Sequence, residues 1–253
     1  MKKFLKSLVF RSINRAGYKV SRIQEVDPVI DADPTFLSIY QKCKSNTMTS
    51  KERMYALYES VKYVVNHGIP GSFVECGVWK GGSSMMIANT LIEMGASDRE
   101  IYLYDTFEGM TEPTEFDTKV EDDGFSVVGH WNENQKDEHN EWCYASLSEV
   151  KQNMLSTNYP EENLFFVKGD VAITIPEKTP GSVSLLRLDT DWYESTQHEL
   201  NHLYPLLSNK GVLIIDDYGC WSGSKKAVDE YFSDGQILLN RIDYSGRIGI
   251  KTE

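Results

Sequence analysis

Val183–Tyr218 reads VSLLRLDTDWYESTQHELNHLYPLLSNKGVLIIDDY. Two apolar runs, Val183–Leu188 and Val212–Ile215, each end in acid: Asp189 and Asp191 after the first, Asp216 and Asp217 after the second. Short apolar runs bounded by turn signals suit strands buried on both faces of a parallel sheet. Between them Leu200, Leu203, Tyr204 and Leu207 recur at helical spacing, and Asn209, Lys210 and Gly211 are stop signals. The stretch therefore predicts a β-α-β unit. In such sheets the ligand site lies outside the carboxyl ends of the strands, where these acids fall. Carboxylates gathered at one point repel unless a cation neutralises them, and a hard divalent ion such as Mg²⁺ takes oxygen ligands.

Upstream, Gly71–Ser84 reads GSFVECGVWKGGSS. Phe73, Val74 and Cys76 suggest a strand, and Gly77, Gly81 and Gly82 a tight turn that lets backbone approach a ligand. Ser83 can open the next helix, whose free N–H groups face the site. The spacing matches neither the G-x-G-x-x-G dinucleotide fingerprint nor a P-loop. Ile101–Tyr104 is a second expected strand with Asp105 at its end, a position where an acid commonly holds ribose hydroxyls. Glu75 is an acid inside a strand and needs a cationic or hydrogen-bonding partner; the amino group of S-adenosylmethionine is one. Leu164–Val167 is a third strand, followed by Gly169 and Asp170, which either reaches an adenine or caps a turn.

Residues 107–145 are long, acidic and aromatic without periodicity, and a loop of that length is usually functional or disordered. Phe116, Phe125, Trp131, Trp142 and Tyr144 favour a lid ordering over a substrate. His130 and His139 read as loop residues unless the fold brings them to the acids. A helix is expected from Thr49 or Ser50 to His67, a short one over Leu147–Leu155, and another over Lys225–Phe232. Ile237–Ile242 and Arg247–Lys251 look like a closing antiparallel hairpin.

Residues 1–24 carry seven positive charges and no acid, while the whole chain is at −12. Phe4, Leu5, Leu8, Val9 and Ile13 would make one apolar helix face. That helix either packs on protein or associates weakly with an anionic membrane surface. Residues 25–46, with prolines at 28 and 34, suit a connecting arm, so domain boundaries of 1–46 and 47–253 are expected. The acidic balance argues against binding nucleic acid. Four cysteines without a C-x-x-C pair suit a reduced, cytoplasmic protein, and no apolar run reaches the ~20 residues of a spanning helix.

Taken together, VECGVWKGGSS, YLYDTFEGM, LLRLDTDWYEST and GVLIIDDY followed by KKAVDEYF resemble the macrocin O-methyltransferase family over roughly Thr47 to Tyr231. The resemblance implies a class I methyltransferase fold: an α/β, Rossmann-like, seven-stranded mostly parallel sheet with helices on both faces, here with an N-terminal extension and an inserted lid. It implies an S-adenosylmethionine- and Mg²⁺-dependent enzyme methylating sugar hydroxyls, usually as a homo-oligomer. By position, Asp189, Asp216 and Asp217 match the metal ligands and Asp191 the proposed base. Glu75, Gly77 and Asp105 match the cofactor site. Gly81, Ser83, Thr106 and Asp170 are further cofactor candidates, and Thr47 and Met48 resemble the segment that closes over the cofactor. Thr190 stands where the pattern has Gly, and Trp192 where it has Leu. A phenolic, catechol-like or peptide acceptor is the alternative, and a non-catalytic adenosyl-binding module a third reading.

Overall fold

A computed structural model describes residues 27–252. The basic helix expected over 1–24 lies outside the described residues. The chain divides at Pro34 into a short N-terminal unit and a main unit from Thr35 onward. In the first, the Asp27 carboxylate accepts from the N–H groups of Val29 (2.8 Å) and Ile30 (3.0 Å) and opens a 3-10 turn, Ile30–Ala32.

The main unit is built on one sheet. Its strands are β1 (Ser72–Cys76), β2 (Ile101–Asp105), β3 (Leu164–Lys168), β4 (Val183–Leu188), β5 (Leu207–Ile215), β6 (Asn240–Arg241) and β7 (Arg247–Ile250). Their order is β3-β2-β1-β4-β5-β7-β6. β1 to β5 are parallel, and β7 runs antiparallel to both β5 and β6. The chain starts in the middle at β1, goes outward to β3, then returns to β4. That reversal opens a crevice at the carboxyl ends of β1 and β4, the switch point where ligands bind in such sheets. All residues of β1 and β4 are buried, as strands covered on both faces must be.

The helices are α1 (Pro34–Cys43), α2 (Lys51–Asn66), α3 (Gly82–Glu93), α4 (Val127–Asn134), α5 (Leu147–Leu155), α6 (Val171–Thr174), α7 (Tyr193–Leu203) and α8 (Ser222–Tyr231). Local chemistry starts several of them: Ser50, Ser126, Ser146 and Asp170 cap α2, α4, α5 and α6 by accepting a backbone N–H. Packing against the sheet supplies the rest. Leu200 and Leu203 of α7 join Val74, Leu186 and Leu213 in the main core, apolar burial worth ~1.5–3 kcal/mol per large side chain.

Three expectations need correcting. Residues 25–46 are not simply a connecting arm. Pro34 occupies the first turn of a helix, where its missing N–H costs nothing, and Phe36, Ile39 and Cys43 bury one face. Residues 107–145 contain α4, too short to declare a period. β5 starts at Leu207 rather than Val212, because Leu207 pairs with Val183 and Lys210 takes a positive φ of 66° instead of ending the preceding helix.

Candidate active site

Registration of the central strands fixes the electrostatics of the site. Glu75 on β1 lies directly opposite Arg187 on β4, and neither reaches solvent: Arg187 is 2% and Glu75 1% exposed. The Arg187 guanidinium donates to Glu75 Oε1 (2.7 Å), Asp189 Oδ2 (2.6 Å) and Asp216 Oδ1 (2.5 Å). Ser84 donates to the other Glu75 oxygen. Glu75 therefore spends its carboxylate inside the protein and is not on the cavity wall. The expectation that it meets a cofactor amino group is corrected to this: it anchors Arg187, because opposite strands place a buried acid beside a buried base.

Asp216 is the second hub. Besides Arg187 it takes Arg53, which also donates to Asp243 at 3.0 Å, and the Thr49 hydroxyl at 3.1 Å. Asp189 and Asp217 complete the cluster, and one oxygen from each of Asp189, Asp216 and Asp217 lies within 4.8 Å of the others. Burial, with Asp216 and Asp217 nearby, pushes the Asp189 carboxyl well above its ordinary range, against the pull of Arg187. Burial, with Asp191 and Asp216, does the same to Asp217. Two guanidiniums thus do not satisfy the acids. A convergent set of hard oxygen donors still short of positive charge fits a divalent cation such as Mg²⁺. Asp216, with both oxygens already engaged by arginines, is the most encumbered of the three.

Asp191 lies on the cavity wall. Its backbone is left-handed, φ 66°, and its N–H points to Asp217 Oδ2 at 3.3 Å. Burial and the Asp189 charge push its carboxyl up to about 7, against a hydrogen bond with Asp217.

Across the switch point lies the glycine turn. Gly77 has φ 80°, and a Cβ there would meet the Asp189 carbonyl oxygen at 1.9 Å; the glycine serves the approach of two strand ends. Gly82 does likewise for the segment before α2: its N–H donates to Asn46 O (2.8 Å), and a Cβ would meet that oxygen at 2.5 Å. Gly77, Ser83, Asp105, Thr106, Asp170, Thr47 and Met48 all line the cavity, of about 350 Å³. Gly81 does not; it faces Val150 of α5, and Gly82 takes its place on the wall. Asp105 accepts from the N–H groups of Val78 (2.7 Å), Trp79 (3.0 Å) and Phe107 (2.6 Å), so it shapes the turn from inside. Asp170 caps α6 through Ala172 N (2.8 Å) and also borders the cavity.

The far wall comes from residues 107–145 together with Trp221 at the start of α8. Trp142, Trp192 and Trp221 meet edge-on with centroids 5.3–6.0 Å apart. The Trp192 indole N–H donates to Thr111 O at 3.0 Å. Asp117, 1% exposed, accepts from Tyr193 N (2.7 Å) at the start of α7 and from Thr114 N (2.7 Å). A Cβ on Gly223 would meet Asp117 Oδ1 at 1.9 Å, so that glycine makes room for it. His130 stacks edge-on with Trp142 and His139 packs on Tyr144; neither lines the cavity. Sequence reasoning missed Arg187, Arg53 and Asp117. Arg187 left one signal, a lone charge in the strand VSLLRL, which a buried position obliges to find carboxylates.

The site thus places a glycine turn with a strand-end acid on one side, an aromatic wall on the other and a carboxylate cluster between. A sequence profile of the macrocin O-methyltransferase family matches residues 3–248. The 8-demethyl-8-(2,3-dimethoxy-alpha-L-rhamnosyl)-tetracenomycin-C 4'-O-methyltransferase of Streptomyces olivaceus is 33% identical over 91% of this chain and 82% of its own length. The demethyldecarbamoylnovobiocin O-methyltransferase of Streptomyces niveus is 31% identical over 78% and 73%. The solved structure of the O-methyltransferase NovP superposes with a TM-score of 0.71 at 30% identity, covering 82% of this chain and 83% of that one. On the fold, the site and these likenesses, the chain belongs to the macrocin O-methyltransferase family and is an S-adenosylmethionine-dependent O-methyltransferase.

Proposed function

We propose that the enzyme methylates a hydroxyl of a sugar or glycan, with Asp191 as general base beside a divalent ion held by Asp189, Asp216 and Asp217. The observation that carries this is the position of Asp191: on the cavity wall, next to the acid cluster, with its carboxyl pushed up to about 7. An alkyl hydroxyl is a poor nucleophile at neutral pH, and a base of matched pKa within hydrogen-bond reach removes its proton most effectively. S-adenosylmethionine supplies the electrophilic methyl group, and a divalent ion, when bound, lowers the pKa of the acceptor hydroxyl.

The protein's part is placement. The turn Gly77–Ser83, with Asp105 and Asp170, forms the cofactor side; Thr47 and Met48 cover it; Trp142 and Trp221 form the acceptor side. Holding two reactants in line is worth ~7–11 kcal/mol of barrier in well-oriented systems. The aromatic wall is built into the fold by Asp117 and Trp192, and its segment 107–145 closes further when ligands fill the cavity. The sugar acceptor is supported by the Streptomyces olivaceus relative, whose name specifies a rhamnosyl-bearing substrate. The tryptophans also favour a flat phenolic acceptor as the second reading.

A homo-oligomer and a cytoplasmic, reducing setting belong to this proposal, the latter supported by four free cysteines. Among the described residues no helix is long and apolar enough to cross a membrane; weak membrane association through residues 1–24 stays with the same proposal. The test is methyl transfer to methyl hexopyranosides and to catechols, with chelator and with Mg²⁺ restored. Metal-dependent transfer to a hexopyranoside is expected. Transfer to catechols alone would overturn the sugar reading, and full activity in chelator would overturn the metal.

A further inference from the structure

Asp191 occupies an unusual piece of backbone. Trp192 N donates to Thr190 O at 2.7 Å across it, the hydrogen bond of a γ-turn, and its φ is +66°. A γ-turn with positive φ at its centre is the rare, strained form. Such strain persists only where the surroundings over-determine it. The residues on either side of Asp191, Thr190 and Trp192, are each tied down by a side-chain hydrogen bond.

On one side, the Thr190 hydroxyl bonds to both carboxyl oxygens of Glu199, at 3.0 and 3.2 Å. Glu199 sits on α7 and is fully buried, and among the described residues no arginine or lysine forms an ion pair with it. Burial pushes its carboxyl well above the ordinary range, opposed by the Thr190 hydroxyl and the Cys76 thiol. A buried acid of this kind is costly unless hydrogen-bonded, and nothing in the methyl transfer uses it. On the other side, the Trp192 indole donates to Thr111 O at 3.0 Å and packs against Trp142 and Trp221.

We infer that Thr190, held by buried Glu199, and Trp192, held by Thr111, are positioning residues that brace Asp191 in its strained turn and aim its carboxylate at the acceptor. The inference rests on Asp191 being the base. The brace explains why an acid without a counter-ion is kept under the loop: its oxygens are the acceptor that fixes Thr190. It also ties the base to both neighbours of the cavity, α7 on one side and the segment 107–145 on the other.

The test uses the full chain with S-adenosylhomocysteine bound. Thr190→Val keeps the branched shape and removes the hydroxyl; Thr190→Ser keeps the hydroxyl. Hydrogen exchange at the Asp191 and Trp192 amides should quicken at least tenfold in Thr190→Val and stay within threefold in Thr190→Ser, with product affinity within twofold in both. Trp192→Phe should quicken the same amides, and Glu199→Gln, which retains an oxygen for Thr190, should not. On the methyl hexopyranoside turned over fastest, Thr190→Val should lower kcat by about 10- to 100-fold, the cost of a misplaced group, leaving the cofactor KM unchanged. Unchanged exchange in Thr190→Val, or equal losses in Thr190→Val and Thr190→Ser, would overturn the brace. Should Asp191→Asn itself keep full kcat, the base assignment fails instead, a separate result from the exchange readout.

Discussion

Arg187→Met is the sharpest probe of how the site is held together. The side chain is 2% exposed and donates to three carboxylates, Glu75, Asp189 and Asp216. Methionine fits the space but leaves Glu75 facing Asp189 with no positive charge. Removing one partner of a buried ion pair costs ~3–5 kcal/mol, because the other charge stays buried. For a chain of this size each kcal/mol moves the melting temperature by ~2–4 °C, so thermal unfolding followed by circular dichroism should shift down by ~6–20 °C. Two partial rescues follow from the same reasoning. Glu75→Gln in the same chain removes one uncompensated charge and should recover part of the loss. Millimolar Mg²⁺, binding the folded acids, should stabilise the variant more than the parent. A shift under ~2 °C, or no response to either rescue, would show that Arg187 is not the counter-ion of the cluster.

Asp105→Ala should weaken S-adenosylhomocysteine binding by ~1.5–3 kcal/mol, measured by calorimetric titration, because Asp105 shapes the glycine turn through Val78 and Trp79; unchanged affinity removes it from the site. Asp117→Ala should speed proteolysis within 107–145 and lower kcat/KM for the acceptor while leaving cofactor affinity intact; slow cleavage would show that the wall does not depend on that cap. Stability without metal should fall as pH rises. Asp191, raised from the ordinary aspartate range to about 7, binds more proton folded than unfolded from pH ~4 to ~7, so its contribution is complete below pH ~4 and gone above ~7. Chemical denaturation at pH 5.5 and 7.5 should show this slope, and Asp191→Asn should flatten it; an equal slope in both proteins would refute the assignment.

The sheet was readable because its signals are local. Val183–Leu188 and Val212–Ile215 are apolar runs stopped by acids, and the closing hairpin carries its own turn at Tyr244–Gly246. The cofactor side was readable in part for the same reason: Gly77 and Asp105 end strands. What could not be read depends on register and packing. Glu75 looked like a free acid because only the pairing of β1 with β4 sets it opposite Arg187. Gly81 and Gly82 are adjacent in sequence, yet the crossing of Asn46 decides which one faces the cavity. The long segment looked loose because what fixes it, Asp117 on Tyr193 and Trp192 on Thr111, is contact across many residues.

The central claim is that Asp191 takes the proton while Asp189, Asp216 and Asp217 hold the ion. Asp191→Asn keeps shape and removes basicity, so the decisive measurement is its kcat at saturating S-adenosylmethionine, methyl hexopyranoside and Mg²⁺, beside that of Asp217→Asn. The account predicts a fall of ~10²–10⁴ for Asp191→Asn, unresponsive to added metal, with S-adenosylhomocysteine affinity intact, and for Asp217→Asn a loss that excess Mg²⁺ partly restores. Near-normal kcat in Asp191→Asn, or its rescue by Mg²⁺, would contradict the account and make Asp191 a ligand or a structural acid instead of the base.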